Sequence, residues 1–122
     1  MVDGCDVCIY MGDYDPAEFY SSTWPKARKP HKCCECRREI APGEKYERTV
    51  GKWDGQMDTY LTCSECVEIR QQFCCDGWLY GDLWEQMQEQ AFEHLKMAGP
   101  CWEGLSAKAK QHLLNQWNRW KF

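Results

Sequence analysis

The chain has 122 residues, 19 acidic side chains against 15 basic ones for a formal net charge of −4, and ten cysteines. That length suits one domain with a small core, which a structural metal would reinforce. It contains no apolar run near the roughly 20 residues of a membrane span, and an acidic whole is a poor default binder of nucleic acid, whose affinity comes from neutralising phosphates.

Residues 1–25 carry five acidic groups and no basic one. The opening Met1-Val2-Asp3-Gly4-Cys5-Asp6 has neither a basic n-region nor an apolar h-region. It therefore predicts a cytoplasmic chain whose thiols stay reduced, where dense cysteine usage points to metal rather than to disulfides. Asp15-Pro16-Ala17-Glu18 combines an N-cap, a proline at the first helical position and a glutamate at the third, predicting a short helix through about Tyr20 that Trp24-Pro25 ends. Residues 26–48 reverse the charge to +4, with a basic loop over 26–32. Next come the pair Cys33/Cys36 and a turn over 37–44 containing Pro42-Gly43. Strands over 45–53 and 56–62 flank Asp54-Gly55, a strong two-residue hairpin signal. The second pair, Cys63/Cys66, opens a helical run with Val67, Ile69 and Phe73.

Further on, Asp82-Leu83-Trp84-Glu85 reads as a capping box for a helix over 82–98, with Leu83, Met87, Ala91 and Leu95 near one face. Gly99-Pro100 stops it. Ser106 caps a last helix whose stripe is Ala109, Leu113, Leu114, Trp117 and Trp120. The resulting expectation is one α+β domain spanning 1–122. It has an acidic segment 1–25, a zinc-finger core 26–81 and a two-helix part 82–122.

The two Cys-x-x-Cys pairs carry the chemistry. Two residues between cysteines let both sulfurs reach one ion without strain, and two such chelates complete the tetrahedron that Zn²⁺ takes. Cys33, Cys36, Cys63 and Cys66 are thus the expected zinc ligands, and knuckle, hairpin and helix in that order describe a treble-clef-like finger. Cys5/Cys8 is a third pair without an obvious partner pair. A second zinc would take Cys5 and Cys8 with Cys75 as first choice for a third ligand, Cys34, Cys74 and Cys101 being further donors. The bland reading makes Cys5 and Cys8 exposed thiols and Cys74 or Cys75 a small core residue. Among the histidines, His31 has the best claim to metal by its place before the knuckle. His94 reads as a packed or half-exposed helix residue, and His112, among Lys110 and Gln111, as a solvated one.

Catalytic patterns are missing. There is no His-x-Glu ahead of a Pro-Cys-x-x-Cys and no His-Glu-x-x-His. A Cys₄ zinc has no open position for water, so a non-catalytic protein is expected. Two binding readings remain. An acidic helix bearing Glu85, Glu89 and Glu93, with Trp78 and Trp84 beside it, would form a protein-binding face for a basic partner. The alternative is a zinc-finger nucleic-acid binder, using the basic segment 26–38 with Trp24 and His31 interleaved and Glu35, Glu39, Glu44 and Glu47 as counter-charges.

The run Lys29-Pro30-His31-Lys32-Cys33-Cys34-Glu35-Cys36-Arg37-Arg38, continued through Ala41-Pro42-Gly43-Glu44 and Gly51-Lys52-Trp53-Asp54-Gly55, resembles a group of small uncharacterised bacteriophage and prophage proteins. The similarity extends through Thr62-Cys63-Ser64-Glu65-Cys66 and Gly77-Trp78-Leu79-Tyr80-Gly81-Asp82-Leu83-Trp84, about the middle half of the chain. What the resemblance implies is a setting in the host cytoplasm. Small phage-type proteins commonly act by binding and redirecting or inhibiting a host complex, and by that analogy anti-defence action, CRISPR inhibition included, is among the expected roles.

Overall fold

The computed structural model describes Ile9 and residues 19–74, 78–92 and 100–121. These form an α+β protein in the order β1 (Phe19–Thr23), β2 (His31–Lys32), β3 (Glu39–Ile40), β4 (Tyr46–Trp53), β5 (Gln56–Cys63), α1 (Ser64–Phe73), α2 (Leu83–Gln90), α3 (Pro100–Glu103) and α4 (Ala107–Lys121). The chain divides into two compact units, one within Gly12–Ser64 and the other comprising Met1–Met11 with Glu65–Phe122. No helix among the described residues is long and apolar enough to cross a membrane.

The first unit is built on the β4–β5 hairpin, in register from Tyr46↔Cys63 to Trp53↔Gln56. Its two-residue turn places Asp54 at φ 54° and Gly55 at φ 80°, the left-handed pair that a primed turn needs and that Asp-Gly supplies at least cost. β1 adds antiparallel to the other side of β4, from Phe19↔Lys52 to Thr23↔Arg48. The turn Ala41-Pro42-Gly43-Glu44 closes with Glu44 N donating to Ala41 O at 3.0 Å, Gly43 taking φ 94°. Arg38 clamps it by a bidentate pair to Glu44, at 3.1 and 2.9 Å. The buried side chains here include Cys33, Ile40, Tyr46, Thr49, Thr62 and Cys63.

In the second unit α1 buries Cys66, Val67, Ile69, Arg70 and Phe73, and Ile9 N donates to Phe73 O at 2.7 Å. Leu83, Trp84 and Met87 of α2 and Ala109 and Leu113 of α4 are also buried. Arg70 is fully buried with its guanidinium carbon 4.5 Å from the Trp78 ring centroid and 5.0 Å from that of Tyr80. Cation–π stacking thus accompanies the burial of a charge. Ser106 caps α4 as its sequence position predicts, Ala109 N donating to its Oγ at 3.2 Å. The same residue ties α4 to α1, donating to Glu68 from its backbone N at 2.9 Å and from Oγ at 2.8 Å.

Three local expectations are corrected. The helix expected through Tyr20 gives way at Phe19 and Tyr20 to β1, because the open edge of β4 offers pairing that outweighs a local capping signal; residues 15–18 lie outside the described residues. Asp82 precedes α2 without capping it by its side chain. At φ −114°, ψ 3° it is outside the β-region a cap requires, and its Oδ2 accepts from Gln86 Nε2 at 3.3 Å instead. The helix expected over 82–98 is helical over Leu83–Gln90, and residues 93–99 lie outside the described residues. Pro100, placed just past the expected end of that helix, opens the short α3, since proline fits the first helical position.

Candidate metal centre

The knuckle between β2 and β3 is shaped around one sulfur. Cys33 N donates to Arg38 O at 3.0 Å and Arg37 N to Cys33 O at 3.1 Å, which reverses the chain within a few residues. Arg37 takes φ 68°, a left-handed conformation costing a non-glycine residue about 1 kcal/mol. Cys33 Sγ accepts N–H bonds from Glu35 at 3.3 Å and from Cys63 at 3.4 Å. Backbone N–H groups aimed at sulfur stabilise a thiolate over a thiol. Cys63 ends β5, and Cys66 follows in the first turn of α1, where the positive end of the helix dipole favours negative sulfur.

The Sγ atoms of Cys33, Cys36, Cys63 and Cys66 all lie within 4.8 Å of one another. A tetrahedron with metal–sulfur bonds of about 2.3 Å has edges of about 3.8 Å. Cys36 and Cys63 stand 3.8 Å apart, and none of the four cysteines is joined in a disulfide. Cys33, Cys63 and Cys66 are fully buried, whereas Cys36 is half-buried. Four soft donors at that spacing, three of them fully buried, suit a single tetrahedral metal ion. With a divalent ion such a centre carries a formal charge of about −2.

Other sequence candidates stand elsewhere. Cys34 points its Sγ to Thr62 Oγ1 at 3.4 Å while its backbone N donates to Leu61 O at 2.7 Å. His31 packs on Tyr46 with ring centroids 5.2 Å apart and is not a member of the thiol cluster. Cys74 is buried and not in a disulfide, and Cys101 is buried and disulfide-bonded, a departure at that position from uniformly reduced thiols. Cys5, Cys8, Cys75 and His94 lie outside the described residues.

Of the expected partner-binding residues, Glu85 and Glu89 are exposed on α2 and Glu93 lies outside the described residues. Trp78 is half-buried against Arg70. Trp84 is only 8% exposed and donates its indole N–H to Cys66 Sγ at 3.3 Å. His112, expected in solvent, is half-buried with Nε2 3.7 Å from the same sulfur. The signal for it was present: His112 follows Ala109 by three residues, which puts it on the inward face of α4 rather than the outward one.

No protein family, curated protein or solved structure matches the chain.

Proposed function

We propose that the protein is a zinc-binding, non-catalytic interaction module. The observation that carries this is the buried four-thiol cluster. Tetrahedral sulfur coordination selects zinc or iron, and a closed Cys₄ zinc supplies folding energy rather than an open coordination site. The ion would be the staple of a treble-clef-like finger, holding a small chain rigid enough to present its surfaces. For the expected second ion on Cys5, Cys8 and Cys75, the double change Cys5→Ser with Cys8→Ser tests occupancy by zinc stoichiometry.

The surface reading favours a protein partner with a basic face. Glu85 and Glu89 are exposed four residues apart on α2, and opposite charge steers association. With the resemblance to phage proteins as setting, that partner is a host complex of the nucleic-acid-handling kind, a CRISPR effector included, whose basic groove the acidic protein would occupy. Pull-down from host lysate, followed by association kinetics with the captured complex, tests this. Changing Glu85, Glu89 and Glu93 to Lys should slow association while zinc content and folding stay intact; unchanged kinetics would discard the acidic face.

A second reading, nucleic-acid binding, is favoured by one specific observation. Lys26, Arg28, Lys29, Lys32 and Arg37 are exposed beside exposed Trp24, whereas Glu35 and Glu47 are buried and Glu44 is held by Arg38. The counter-charges expected to neutralise the basic segment are thus largely withdrawn from its surface. DNA or RNA affinity falling steeply with salt, and lost on Lys29→Glu with Lys32→Glu, would establish this reading in place of the first.

A further inference from the structure

Two side-chain rings from later helices converge on the ligand thiol of Cys66. Trp84 of α2 stands 18 residues away in sequence and His112 of α4 46 residues away, yet their ring nitrogens are 3.3 and 3.7 Å from its Sγ. The two rings also meet edge to face, with centroids 5.8 Å apart at 78°, and Trp84 rests on Phe92 at 6.2 Å. An indole nitrogen can only donate, so the Trp84 contact has one polarity whatever the protonation of the sulfur. The Cys66 sulfur is fully buried, which strengthens any such bond and leaves water no share in it. His112 is not a member of the mutually close ligand set, and its Nε2 lies 3.7 Å from the Cys66 sulfur.

We propose that Trp84 and His112 are positioning residues of the metal centre that donate N–H···S bonds to the Cys66 thiolate, His112 through Nε2–H. This rests on the zinc reading. The bonds withdraw charge from a centre carrying about −2, fix the side chain of Cys66 and make its sulfur less attractive to electrophiles. Two helices far from the knuckle in sequence thereby tune how firmly the ion is held. Outer-sphere partners of this kind commonly change metal affinity by about 10–100-fold.

The test uses the full chain with zinc, and with Co²⁺ exchanged for zinc as a spectroscopic probe. Trp84→Phe keeps the ring and removes the N–H; His112→Phe does the same on α4, and His112→Gln restores a donor near the Nε2 position. Trp78→Phe, on the ring that packs over Arg70, is the control for losing an indole elsewhere. Trp84→Phe and His112→Phe should each shift the sulfur-to-cobalt charge-transfer band to lower energy and weaken zinc about 10-fold against a chromophoric chelator. Alkylation by iodoacetamide, mapped by mass spectrometry, should become faster at Cys66. His112→Gln should return the band towards its original position, and Trp78→Phe should leave it unmoved. A band and a zinc affinity unchanged in Trp84→Phe and His112→Phe, with only the melting temperature lowered, would reduce both rings to packing and overturn the inference alone. A parent protein without any cobalt–thiolate band would overturn the zinc reading and this inference together.

Discussion

Adjacent cysteines at the knuckle offer a sharp test, because Cys33→Ser and Cys34→Ser differ by one position and by the whole metal site. Cys33 is fully buried, belongs to the four-thiol cluster and accepts two backbone N–H bonds at 3.3 and 3.4 Å. A serine there offers a short, protonated oxygen in place of a thiolate. Structural zinc in small fingers is worth about 10–16 kcal/mol at neutral pH, as much as the roughly 5–15 kcal/mol stability of a whole domain. Losing even a third of that leaves a poorly folded chain. Cys34 is half-buried, and its Sγ meets Thr62 Oγ1 at 3.4 Å, a contact that a serine hydroxyl can remake. Its substitution should cost below about 1 kcal/mol. Elemental analysis after chelator challenge, paired with thermal melts by circular dichroism, reads both variants. Cys34→Ser should keep the parent zinc content and Cys33→Ser should lose one ion per chain. Equal losses in the two variants, or a Cys33→Ser protein with parent zinc and parent melting, would refute the ligand assignment.

Further outcomes follow from other parts of the fold. A side chain at Gly51 would place its Cβ 2.5 Å from the Trp53 ring and 2.8 Å from Tyr20 Cβ, so Gly51→Ala should cost about 1–3 kcal/mol in chemical denaturation. Gly55→Ala strains a left-handed turn position and should destabilise the hairpin by about 1 kcal/mol without altering metal content. Ser106→Ala removes the cap of α4 and the hydroxyl bond to Glu68, and should lower stability by about 1–2 kcal/mol in the same assay. Acidification should release the ion, since protons compete for thiolates, with zinc appearing in the free pool as the far-ultraviolet signal falls.

Local chemistry made much of the fold legible. Asp54-Gly55 specified the β4–β5 turn because both positions need positive φ, and the paired cysteines announced the thiol cluster because chelate spacing is a local property. Ser106 could be read as a cap for the same reason. What escaped depends on partners distant in sequence. Phe19–Thr23 is a strand because β4 is there to pair with it, a fact no window around Asp15-Pro16 contains. Asp82 does not act as a side-chain cap because its own backbone, at φ −114° and ψ 3°, lies outside the β-region. Trp84 looked like an interface residue and His112 like a solvated one, and only tertiary packing brings both nitrogens to Cys66.

X-ray absorption at the zinc edge, on protein purified without added metal, tests the central claim most directly. Sulfur alone in the inner sphere, four scatterers at about 2.3 Å, is the predicted result, and it should be lost in the Cys63→Ser protein. Nitrogen or oxygen in that sphere, or folded and reduced protein containing no zinc, would contradict the account.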